Sequence, residues 1–221
     1  MAGTRERGKG GKRAEAKPLS PREARRQQRI DLSREQILDT AEQLFSQRGY
    51  HDTGLKEVAE LCEFSVGSIY SFFQGKDHLY QEVLMRHGPA QVAEMRRIAA
   101  GDAPATERLA AMARLQIEHF RQYPAWGRLT TRALTAGMPQ GATLPAVFEK
   151  ARRDAIDIEA ELFADGQRAG LLREGDPRAL ARLFSSLVTA FHDMDPDIGD
   201  DPAALDVDEF LVFIVRAFSS Q

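Results

Sequence analysis

From residue 33 to the end of the chain, nearly every segment repeats its apolar residues at helical spacing. No stretch alternates apolar and polar residues as a half-buried strand would. A chain patterned in this way folds as helices packed on helices, so the expected class is all-α. Ser33-Arg-Glu-Gln36 has the form of a capping box and predicts a helix with Ile37, Ala41, Leu44 and Phe45 on one face, stopped by Gly49. A second helix is expected after Thr53, with Leu55, Val58, Ala59 and Cys62 inward. Ser65 is placed to cap a third, short helix in which Ile69 and Phe73 lie four apart and face the first two. Three short helices joined in this way make a helix-turn-helix unit. Further helices are expected over 77–86, onward to about 99 after a break at Gly88-Pro89, and over 106–122, 125–136, 145–169, 177–192 and 207–218.

Composition narrows the class. With 43% hydrophobic and 29% charged residues, the 221-residue chain can bury a sizeable core and stay soluble. The longest strongly apolar run, 210–215, is far too short to cross a membrane. The first 30 residues lack the apolar segment of a signal peptide, and Cys62 is the single cysteine, so a cytoplasmic protein without a disulfide framework is expected. The net charge of −3 hides an asymmetry: residues 1–30 hold ten Lys/Arg against three Glu, while 31–80 hold four Lys/Arg against nine Asp/Glu. The first tract, rich in Gly, Lys, Arg and Pro, reads as a disordered basic arm, either a solvated tail or a contact to phosphates.

The run from Ile37 to Leu84 resembles the DNA-binding domain of TetR-type transcriptional regulators. The resemblance rests on Ile37, Ala41, Leu44-Phe45, Gly49-Tyr50, Thr53, Val58-Ala59, Ser65-Val-Gly-Ser-Ile-Tyr70, Phe73, Lys76-Asp77 and Leu79. It implies an all-helical homodimer in three parts: a basic arm (1–30), a helix-turn-helix domain (31–80), and a helical regulatory and dimerisation domain (81–221). It also implies a one-component regulator that represses, or less often activates, transcription, read here as a repressor released by a small apolar or amphipathic ligand, with double-stranded DNA as a partner; no cofactor is expected. Two departures from the family pattern stand out. Glu63 occupies a turn position usually held by Gly, and Gly54 a position where Thr or Ser is common.

The residues from Ser65 to Lys76 carry the chemistry. Ser65, Val66, Gly67 and Ser68 would form the first turn of a helix entering the major groove, where small side chains let the backbone approach DNA. Ser65 can cap, contact DNA, or do both. Val66 suits a thymine methyl. The resemblance makes Tyr70, Thr53 and Lys76 phosphate contacts; their plain alternatives are a core tyrosine, an N-cap and a solvated lysine. Phe72 lies where the family often has His or Tyr and offers only van der Waals contact. No Arg, Asn or Gln precedes Gln74 in this segment, so base readout would rest on Val66, hydroxyls and DNA shape.

Downstream, Met112, Leu115, His119, Phe120, Trp126, Met138, Phe148, Phe163 and Phe191 either line an apolar ligand cavity or form plain core, with Arg132, His119 and His192 as candidate polar anchors. No metal set is expected from the spacing of Glu118-His119 and His192-Asp193. Helices 177–192 and 207–218 are the expected dimer interface through Leu180, Phe184, Leu187, Phe191, Phe210, Phe213 and Ile214. Two other classes compete with this reading. A hydrolase or transferase would need a nucleophile–base–oxyanion arrangement that the sequence lacks. A protein-interaction adaptor that has lost DNA binding is favoured only by the acidic balance of 31–80.

Overall fold

The computed structural model describes residues 20–135, 137, 140, 146–194 and 206–220, and among these residues it contains ten helices. Met138 and residues 1–19 lie outside the described residues.

Helix α1 spans Pro21–Arg48, so it begins well before the signal at Ser33, and the tract expected to be disordered is helical from residue 21 onward. The cause is an earlier capping box. The Ser20 amide donates to Glu23 Oε2 at 2.9 Å, and the Glu23 amide donates back to Ser20 Oγ at 3.3 Å. Pro21 follows in the first helical position, where its missing N–H costs nothing. Residues 21–29 hold no glycine and four arginines, which are good helix formers, so the Ser33 motif becomes an interior part of a longer helix.

The chain divides into two compact units, 1–35 and 36–221. In the first, Arg22, Arg25, Arg26 and Arg29 are exposed and recur at the i, i+3, i+4, i+7 spacing of one helix face.

In the second unit, the rest of α1 packs with α2 (Leu55–Leu61), α3 (Val66–Phe72) and α4 (Lys76–Met85). Ile37, Ala41, Phe45, Val58, Ile69 and Phe73 are buried, as the periodicity predicts. The same cluster takes in Leu129 and Phe148 from later helices, so packing is continuous across residue 80. The remaining helices are α5 (Gly88–Ala99), α6 (Ala105–Gln122), α7 (Pro124–Thr135), α8 (Ala146–Arg168), α9 (Pro177–Met194) and α10 (Val207–Phe218). Gly88-Pro89 separates α4 from α5, as expected of a residue that lacks an N–H. Asp176 and Asp206 cap α9 and α10 by accepting backbone N–H bonds, at 2.8 Å in each case. Gly166 lets α8 pass close to its neighbours: a Cβ there would sit 2.4 Å from the Leu172 side chain and 2.9 Å from Ala105 Cβ.

The residues expected at a dimer face divide between core and surface. Leu180, Phe184, Phe191, Phe210 and Ile214 are 8% exposed or less and belong to the protomer's own core, and Leu187 packs against that core. Helices that are apolar on two faces bury one of them at home, and sequence periodicity does not say which. The apolar residues left outside are Leu183 and Val212, 57% and 50% exposed, together with Phe213 at 54%.

Candidate nucleic-acid interface and internal cavity

The turn between α2 and α3 is closed by backbone bonds. The Phe64 amide donates to the Ala59 carbonyl at 2.9 Å and the Glu63 amide to the Glu60 carbonyl at 3.2 Å. This geometry puts Glu63 at φ 59°, the one non-glycine residue with positive φ among those described. Gln36 fastens the turn to α1 by donating from Nε2 to the Cys62 carbonyl at 3.2 Å.

Ser65 caps α3, its Oγ accepting from the Ser68 amide at 3.0 Å. Val66, Gly67 and Tyr70 are exposed and Ser68 is half-buried, so the first turn and its tyrosine form an open surface, while Ile69 and Phe73 anchor the opposite side. With Tyr70 at 57% exposure, the core reading of that residue is excluded. A Cβ on Gly67 would meet only Ser65 Oγ, at 3.8 Å, so nothing inside the protein requires glycine there.

Two other expected contacts, Thr53 and Phe72, come out differently, while Lys76 stays at the surface with donors to spare. Thr53 is 1% exposed, and its hydroxyl donates to the Gly49 carbonyl at 2.8 Å. It is neither the N-cap of α2, which is Gly54, nor open to a phosphate. Phe72 is half-buried against the core, leaving only its edge for contact. Lys76 donates to the His51 carbonyl at 3.1 Å and lies 4.4 Å from the Tyr50 ring centroid, a cation–π contact that holds the ammonium near the surface.

Between α4, α5, α6, α7, α8 and α9 lies a cavity of about 100 Å³. Of the expected lining residues it contains Phe120, Trp126 and Phe148, with His192 from the anchor candidates. Met112, Phe163 and Phe191 are ordinary core, Leu115 packs against that core, and His119 sits in an aromatic cluster instead. Burial, with His87 beside it, holds the His119 imidazole below its usual value. Arg132, expected as an anchor, is not on this wall: it donates to the Ser46 carbonyl at 3.2 Å, in the last turn of α1. The sequence reading missed Leu84, Met85, Gln116 and Thr130 on the wall. Their signal was weak, because each looked like an ordinary position on an amphipathic helix.

A run of contacts joins the cavity wall to α1. Trp126 donates its indole N–H to the Leu84 carbonyl at 3.0 Å. At the α4–α5 junction His87 stacks on Tyr123 with centroids 3.8 Å apart, and its Nε2 lies 3.3 Å from Glu42 Oε2. Arg86 reaches the same Glu42 at 3.4 Å and Asp39 at 2.7 Å. Glu42 is only 6% exposed, so its carboxylate depends on these partners.

Residues 37–83 match the family model described as "Bacterial regulatory proteins, tetR family". The HTH-type transcriptional regulator RutR of Escherichia coli K12 is 28% identical over 177 residues, 79% of this chain and 80% of RutR. The HTH-type transcriptional repressor NemR of the same strain is 25% identical over 158 residues, 70% of this chain and 79% of NemR. Among solved structures, a tetR-family regulatory protein from Rhodococcus RHA1 superposes with TM-score 0.71 at 19% identity, covering 86% of this chain and 98% of that one. AibR in complex with isovaleryl coenzyme A and operator DNA gives TM-score 0.67 at 22% identity, over 84% and 97% of the two chains. The curated relatives named here are regulators, not enzymes. Among the described residues, no helix is long and apolar enough to cross a membrane.

Proposed function

We propose, from the premise that this chain is a TetR-type transcriptional regulator, that it binds a palindromic operator as a homodimer and releases it when a small molecule fills the cavity. The observation that carries the reading is the open first turn of α3, Ser65 to Ser68 with Tyr70, held outward by the buried pair Ile69 and Phe73. Tyr70 and Lys76 then set the helix on the phosphates, and Val66 and the serine hydroxyls touch base edges. Phe213, Leu183 and Val212 would meet their copies across the two-fold axis. The recognition helices would be set about one DNA turn apart, roughly 34–36 Å, or a multiple of it. Residues 31–80 act as the DNA-reading part and 81–221 as the regulatory part, although the two share a core. This reading gives the chain no catalytic step and a cytoplasmic site of action.

Release follows from the contacts already described. Leu84 and Met85 are both cavity wall and the end of α4, and Arg86 and His87 join that end to Glu42 and Asp39 of α1. An occupant that shifts the wall shifts this junction, and with it the helices that face DNA. It can do so only as far as its affinity differs between the two arrangements.

The test is binding to a DNA fragment from upstream of the chain's own gene, with wild type and Gly67→Ala compared. Wild type is expected to bind with an affinity that falls steeply with salt. Gly67→Ala is expected to fold at least as well, because glycine costs a helix roughly 1 kcal/mol against alanine, yet to bind DNA more weakly. Equal binding by the two proteins would move the first turn of α3 off the DNA, and salt-independent binding by wild type would defeat the reading.

A further inference from the structure

The cavity wall is mostly apolar, and two of its polar residues, Gln116 and Thr130, are enclosed enough for their hydrogen bonding to decide what they offer a ligand. Gln116 lines it, and its side-chain nitrogen is spent behind the wall: Nε2 donates to Glu159 Oε1 at 3.1 Å and to the Met112 carbonyl at 3.4 Å. An amide carries two N–H donors and one carbonyl acceptor, so the group left to the cavity is the acceptor. Glu159 holds this arrangement from the far side. It lies one helical turn beyond Ala155, which lines the cavity, and is 1% exposed. Burial pushes its carboxyl up to about 8, so it is neutral at neutral pH, and its Oε2 has no partner among the described residues. Thr130 also lines the cavity, is 5% exposed, and has an Oγ1 without a partner among the described residues. An orphaned buried polar atom costs folding free energy, so the Thr130 hydroxyl on the cavity wall is placed to be satisfied by something else.

Resting on the regulator reading above, we propose that the effector is a small, uncharged, mostly apolar molecule with one O–H or N–H donor, read by the Gln116 carbonyl and seconded by the Thr130 hydroxyl. Glu159 is a positioning residue that fixes which end of the Gln116 amide faces the ligand. The cavity holds on the order of ten water-sized groups, the scale of a single substituted ring. Burying a carboxylate or an ammonium against a mostly apolar wall carries a large desolvation cost, which a half-exposed ion pair does not repay. The arginine on the rim, Arg152, is already paired with Glu149 at 3.3 Å.

The chain's single tryptophan, Trp126, is on the cavity wall and reports occupancy through its own fluorescence. Four matched probes separate the chemistries: para-ethylphenol, its methyl ether, para-ethylbenzoate and para-ethylbenzylamine. Para-ethylphenol is expected to change Trp126 emission saturably and to bind about tenfold tighter than the ether, which leaves the acceptor unpaired. The two ions are expected to bind more weakly than the ether. Gln116→Leu is expected to remove the preference for phenol over ether, and Glu159→Leu to blunt it, while Glu159→Gln keeps it because an amide oxygen still accepts from Gln116. Equal or tighter binding of the ether or of either ion by wild type overturns the inference, as does the absence of a saturable response to the phenol. Neither result depends on any variant folding. Promoter binding without probe, measured on the same preparation, keeps the two readings apart: its loss strikes the regulator reading, whereas intact DNA binding with the wrong probe order strikes only the effector class.

Discussion

Glu63 shows how a single residue records a compromise. The bonds that close the α2–α3 turn require a left-handed residue, and a side chain at φ 59° costs roughly 1–2 kcal/mol that glycine does not pay. Glu63→Gly is therefore expected to raise the urea midpoint by an amount equivalent to about 1 kcal/mol with an unchanged slope. It is also expected to tighten promoter binding by removing one negative charge from a domain that is already acidic. A lower midpoint would mean that the glutamate side chain makes a compensating contact. The sequence pointed to this position, because an acidic residue stood where a turn of this kind wants glycine. It did not point to the fate of Thr53, whose burial depends on where the Gly49 carbonyl lies, and that is a property of the folded loop.

At the scale of the element, α1 carries the main lesson about local signals. Two capping boxes lie thirteen positions apart, at Ser20 and Ser33, and both are legible. The earlier one opens the helix because nothing between them breaks it, and the apolar period that marked the later one is only the part of the helix with a core to face. The arginines of the extension share one exposed face, so the phosphate-contact reading of this tract has a geometry that a deletion can test. Deleting residues 1–29 is expected to lower promoter affinity and to flatten the plot of log K against log salt by about 0.9 for each phosphate the shortened chain leaves unneutralised. An unchanged slope would make the extension a bystander. The other helices were legible to within a few residues because glycine, proline and capping aspartates mark their ends.

For the whole molecule, the cores were legible and the spaces between them were not. Apolar periodicity says which residues avoid water, so Ile69 and Phe73 came out buried as their spacing implied, but not whether Phe184 does so in its own core or against a second copy. A cavity is what such residues fail to fill, and its polar wall belongs to helices far apart in sequence. Gln116 and Glu159 meet across 43 positions, with no local pattern to announce it. The burial of Glu159, which the bond from Gln116 only partly offsets, has a cost that depends on pH. Glu159 has a folded-state value of about 8 against an ordinary value of 4.5, so the folded protein holds a proton that the unfolded chain has released between those values. Stability is unpenalised below about pH 4.5, falls as pH rises towards 8, and levels off above it. Glu159→Gln is expected to flatten this part of the curve of melting temperature against pH and to melt higher than wild type above pH 8. Parallel curves for the two proteins would show that the carboxyl is solvated in the folded state.

The outer side of α3 has a consequence for how such proteins diverge. Between Ser65 and Ser68 it offers short side chains that belong to no core, and of these Ser65 is tied to the fold, as the cap of α3. On the proposed reading, a duplicated copy that exchanges Val66 for a longer polar residue would change its target promoter without passing through an unfolded ancestor. The wiring of a regulatory network can then drift while the architecture that executes it stays fixed.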